Sequence, residues 1–111
     1  MGKKKLLLKG IAASTGTATG KVRLFGSGGK PESFHKGDVL VATITDPTMA
    51  AAMVKAAAII TDIGGMTSHP AILSREMGIP CVVNTKTATT VLKNGVKVFV
   101  DGGKGEVYAL D

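Results

Sequence analysis

The chain has 111 residues, a net charge of +6 and 44% apolar residues. That length fits one globular domain, too apolar for a disordered chain and with little room for two substrate sites. With no Trp, one Tyr and three Phe, stacking surfaces for bases or sugars are scarce, and the single cysteine excludes an internal disulfide.

Residues 1–36 hold eight Lys or Arg against one acid, Glu32, whereas residues 37–111 hold six against seven. The excess charge therefore belongs to the first third, chiefly Lys3, Lys4, Lys5 and Lys9. No aromatic residues interleave with these lysines and no reader motif accompanies them. The expectation is a solvated basic start, with no nucleic-acid partner. Leu6, Leu7 and Leu8 are stopped by Lys9, far too soon for a signal peptide. No apolar run approaches a membrane span, so no membrane partner is expected and the default location is cytoplasmic.

Residues 10–20 are a small-residue segment leading into a strand-like Lys21–Phe25. Residues 26–37 read as a loop rich in Gly. Asp38–Ile44 is a strand candidate. Thr45-Asp46-Pro47 then starts a helix: Asp46 can cap the free amides and Pro47 suits the first position. Met49, Ala52, Met53 and Ala56 share one face at helical spacing, which reads as core packing. Ala58–Thr61 is a second buried strand. Asp62-Ile63-Gly64-Gly65 breaks the pattern, and Thr67 or Ser68 can cap a second helix, His69–Met77, ended by Gly78 and Pro80. Cys81–Val83 is a third strand and Ala88–Leu92 a helical turn. Lys93-Asn94-Gly95 turns the chain into an alternating strand, Val96–Val100, and Asp101-Gly102-Gly103 into a last one, Glu106–Leu110. The order predicts an α/β fold: parallel core strands with crossover helices, antiparallel strands at the ends and a C-terminal hairpin.

Several motifs fail. Gly16–Lys21 has three residues between its glycines where a nucleotide-binding P-loop has four, and Val22 stands where that loop has Ser or Thr. No cluster has metal-ligand spacing. His35 sits in a charged loop with nothing to position its ring. Cys81 lies in an apolar run and reads as a buried core residue. Ser68 lacks the flanking glycines of a hydrolase elbow.

Chemistry concentrates in Gly64-Gly65-Met66-Thr67-Ser68-His69-Pro70. Two glycines let backbone amides approach an anion closely. A helix N-terminus offers unpaired N–H groups and partial positive charge. Thr67 and Ser68 can donate further hydrogen bonds. The same dipole favours the neutral, nucleophilic imidazole of His69 and, after phosphorylation, the anion, by roughly 0.3–1 kcal/mol each. Arg75 lies almost two turns along the helix and well around it, too far for a direct ligand.

The run Gly64–Ile72, followed by Ser74–Pro80, resembles the phosphohistidine signature of phosphoenolpyruvate-utilising enzymes, notably the phosphoenolpyruvate synthase and pyruvate phosphate dikinase branch. Lys9–Gly20, Gly37–Val41, Thr45-Asp46-Pro47, Asn94-Gly95 and Gly105–Tyr108 fit the same family, so the resemblance covers residues 9–110. It implies a swivelling β/β/α domain at 9–111 after a basic extension at 1–8. It implies a phosphoryl carrier, a phosphotransferase component and not a complete enzyme. His69 matches the phosphorylated residue, Gly64, Gly65 and Ser68 the surrounding loop, and Thr67 the threonine that regulators modify. The implied partners are an ATP-grasp nucleotide domain and a phosphoenolpyruvate/pyruvate barrel domain, in cis or in trans. No cofactor is expected on this domain; magnesium and ATP belong at the partner sites. Pro70 and Ser74 stand where relatives favour Ala, and Asn84-Thr85 where a Gly is usual; none of these removes a functional group. The competing expectation is a non-catalytic swivelling module with a vestigial histidine.

Overall fold

A computed structural model describes residues 4–25 and 34–110. Among the described residues, eight strands run in chain order: β1 Lys4–Lys9, β2 Ile11–Ser14, β3 Thr17–Leu24, β4 Val39–Ala42, β5 Ala58–Thr61, β6 Cys81–Val83, β7 Lys97–Asp101 and β8 Glu106–Leu110. Three helices accompany them: α1 Ala50–Met53, entered through a 3-10 turn at Pro47–Met49, α2 His69–Met77 and α3 Ala88–Val91.

The strands form one sheet in the order β1-β8-β7-β3-β4-β5-β6-β2. Pairings from β3 through β6 are parallel. All others are antiparallel. β1 and β2 lie at opposite ends of this order, yet only Gly10 separates them. The sheet must therefore curl until its two edges meet. Gly10 N donates to Gly105 O at 2.8 Å, extending the β1–β8 ladder by one residue, and Gly102 N to Gly16 O at 2.8 Å, extending that of β3 and β7. A Cβ on Gly102 would lie 2.0 Å from Ser14 O, so the turn after β7 approaches the end of β2 only without a side chain there.

Alternation along the parallel strands divides the core in two. Leu40, Ala42, Ile59, Cys81 and Val83 pack with Ala52 and Met53 of α1 and Ala71 of α2. Val39, Val41, Ala58, Ile60 and Val82 face the other way, against Leu8, Val22, Val98, Val100 and Val107 inside the curl. Parallel strands covered on both faces need apolar residues at every position, which explains the unbroken apolar runs.

Two expectations change. Residues 4–8 are not a tail outside the domain: β1 pairs with β8, with Leu8 buried opposite Val107. The partner strand lies at the far end of the chain, beyond any local pattern. The lysines also acquire aromatic neighbours, for Lys4 Nζ lies 4.3 Å from the Phe99 ring centroid. The helix expected after Pro47 is a 3-10 turn, Pro47–Met49, followed by a single α turn, Ala50–Met53. Lys55 N and Ala56 N bond to Ala52 O and Met53 O, tightening the turn so that the chain can re-enter the sheet at Ala58. Met53 and Ala52 are buried as expected. Residues 1–3, and 26–33 of the expected loop, lie outside the described residues. Among the described residues, no helix is long and apolar enough to cross a membrane.

Candidate functional site

Because β4, β5 and β6 are parallel, their C-terminal ends open on one edge of the sheet. The segments leaving them are laced together. Asp62 N and Ile63 N donate to Ala42 O and Thr43 O, both at 3.1 Å; Thr85 N donates to Thr61 O at 3.1 Å and Lys86 N to Asp62 O at 2.8 Å. The Asp62 carboxylate is occupied by Thr89, accepting from its amide at 2.9 Å and its hydroxyl at 2.5 Å. It braces the loop.

His69 is the first residue of α2, half-buried at this edge. Ser68 is the N-cap, in extended conformation, but its side chain does not cap the helix. Its hydroxyl instead donates back to Gly65 O at 2.7 Å. Ser68 therefore shapes the loop, and the first-turn amides keep no side-chain acceptor of their own. Pro70 occupies the second helical position, where a missing N–H costs nothing. Gly64 has φ +125°, and a Cβ there would lie 3.0 Å from Ser68 Oγ. Gly65 is open, with nothing within 4 Å of an added Cβ. Thr67 is exposed.

A partner missed in the sequence is Thr45. Its Oγ1 lies 2.7 Å from His69 Nδ1, and the residue is buried. Thr45 follows β4 as the Gly64–Ser68 loop follows β5, so the parallel pairing brings the two segments together; that pairing was the available signal. The hydroxyl can accept from Nδ1–H, which leaves the Nε2 lone pair bare. Asp46, next in the chain, is held below the usual carboxylate range by the Thr48 hydroxyl, then by the Thr48 amide, and least by the nearby His69 ring. It caps the 3-10 turn, accepting from Thr48 N at 2.8 Å.

Four apolar side chains on these segments are exposed: Ile44, Ile63, Met66 and Ile72. Ile44 Cδ1 packs toward Gly64, and Ile72 is one turn along α2 from His69. Cys81 is buried beneath α2, its thiol pushed up to about 11 by that burial, so it offers no thiolate nucleophile. Beside it, the Ser74 hydroxyl is buried with that thiol as its polar neighbour. Among the described residues no three His, Cys, Asp or Glu side chains gather to hold a metal ion.

Fold and site together define a small α/β domain that presents one histidine at an uncapped helix start. Residues 34–105 match the mobile domain of PEP-utilising enzymes, and the chain belongs to that family. A probable phosphoenolpyruvate synthase of Archaeoglobus fulgidus is 57% identical over 104 residues, which are 94% of this chain and 14% of that protein. The chain thus spans about a seventh of this relative's length. A solution NMR structure of an Enzyme I protein superposes with TM-score 0.60 at 34% identity, over 70% of this chain and 32% of the other. The crystal structure of Thermococcus kodakaraensis aconitase X in its holo-form gives TM-score 0.70 at 24% identity, over 94% and 98% of the two chains. That last likeness concerns the fold alone.

Proposed function

We propose that this domain carries a phosphoryl group on His69 between an ATP-grasp nucleotide site and a phosphoenolpyruvate/pyruvate site. The observation that carries the reading is the 2.7 Å contact between Thr45 Oγ1 and His69 Nδ1 at a helix start without a side-chain cap. With Nδ1–H donating to Thr45, Nε2 attacks phosphorus. An N–P bond forms, the P–O bond to the donor breaks, and the leaving oxygen keeps the electron pair. Nε2 has no proton to lose, so the chain needs no general base for this step. In the second transfer an acceptor oxygen attacks the same phosphorus and the N–P bond breaks.

The domain's own help is modest. Helix-start amides favour the anion by roughly 0.3–1 kcal/mol, a bias of a few-fold. Large acceleration needs cations and positioning supplied by the partner sites. In this reading magnesium belongs to those sites, where the transferring phosphoryl oxygens need a cation. Exposed Ile44, Ile63, Met66 and Ile72 suit a surface that docks and excludes water. Thr67, exposed two residues before His69, is open to modification; a phosphate there would set like charge beside phosphohistidine.

The test supplies the remaining domains of a phosphoenolpyruvate synthase in trans, with labelled ATP or phosphoenolpyruvate. The wild type should acquire acid-labile label and His69→Ala none. Thr45→Val should take label about tenfold more slowly, the scale of one lost hydrogen bond to a reacting group. An unlabelled wild type, or label persisting in His69→Ala, would sink the proposal.

A further inference from the structure

Arg75 lies in the last turn of α2, and its guanidinium joins three segments. Nη1 donates to Ala13 O on β2 at 2.9 Å, and Nη2 donates to Met66 O at 2.5 Å. Ala13 is 62 residues away in sequence, Met66 nine. Resting on the reading of His69 as phosphoryl acceptor, we propose that Arg75 is a positioning residue: it locks the loop before α2 so that loop amides face the incoming phosphoryl group.

The loop has little else to hold it. Gly64 and Gly65 lack side chains, and those of Met66 and Thr67 are exposed. Two carbonyls are tied down. Gly65 O accepts from both Ser68 N at 3.1 Å and Ser68 Oγ at 2.7 Å. Met66 O accepts from Arg75. A trans peptide is planar, with C=O and the following N–H pointing in opposite directions. Fixing Gly65 O therefore aims the Met66 amide, and fixing Met66 O aims the Thr67 amide away from Arg75 and the body of the domain. Arg75 thereby orients a donor that it does not touch. Both acceptors are neutral carbonyls, and among the described residues no carboxylate pairs with this guanidinium. Only a fork reaches two carbonyls on different segments at once; a lysine ammonium is a single point.

Arg75→Lys and Arg75→Gln in the full chain test this. NMR-detected hydrogen exchange is read at Ser68, the loop amide bonded to Gly65 O, and at the β5 amides, with thermal unfolding alongside. Phosphoramidate, a donor that needs no partner domain, measures the rate of His69 phosphorylation. In both variants, loop exchange should rise about tenfold while β5 protection is unchanged. The phosphoramidate rate should fall several-fold, with labelling still confined to His69. Unchanged loop exchange in both variants, or loop and β5 loosening together, would overturn the role. An unlabelled wild type would sink the carrier reading and leave the loop result standing by itself.

Discussion

The two halves of the sheet are built differently. In β4, β5 and β6 every residue is buried. In β1, β7 and β8 burial alternates or is confined to a few positions, and the outer face carries Lys4, Leu6, Phe99 and Tyr108. The parallel half is a rigid platform packed from both sides, and its C-terminal edge holds His69. The antiparallel half closes the curl and meets solvent. The difference teaches where the molecule tolerates change: chemistry sits on loops, but on loops anchored to the half that has no slack.

The largest contrast should come from stability. Ile60, fully buried, should cost about 2–5 kcal/mol when cut to Ala. Leu6, 44% exposed on β1, should cost about 0.5 kcal/mol. Urea titration of both variants checks this; a Leu6→Ala cost matching that of Ile60→Ala would mean that the outer sheet is also a core. A smaller loss is expected at Gly64→Ala. Its φ of +125° is closed to side-chain-bearing residues, and the new methyl would press on Ser68. The expected cost is about 1–3 kcal/mol, together with slower labelling of His69. Labelling at the wild-type rate would show that the platform tolerates a reshaped loop. The smallest effect has the opposite sign. Ser74→Ala removes a buried hydroxyl whose polar neighbour is the Cys81 thiol, a weak partner, and should stabilise by up to about 1 kcal/mol, read as a rise in Tm. A loss of stability would show that the Ser74–Cys81 contact outweighs the cost of burying the hydroxyl.

The same contrast governs what the sequence disclosed. Ala58–Thr61, His69–Met77, Cys81–Val83 and Glu106–Leu110 appear with the boundaries expected, because continuous apolar runs, glycine stops and a proline at a helix start are local signals. β1 was hidden: three lysines and three leucines do not alternate, and a register shift between Leu6 and Leu8 blurs the pattern further. β2 and the first half of β3 hid among small residues that gain strand character only from their neighbours. At the site, His69 and its glycines were legible because a helix start is written in adjacent residues. Thr45 and Arg75 were not, since their contacts cross 24 and 62 residues. What they touch is decided by strand order, which no single segment encodes.

The pairing of the first strand with the last has a mechanical consequence. Lys4 stands opposite Leu110 on adjoining strands, so chain entering the domain and chain leaving it do so side by side. A unit attached in this way can be spliced into a longer polypeptide without disturbing its sheet. Both connections would then meet the sheet at one place, so a pull on either would load the β1–β8 pair first.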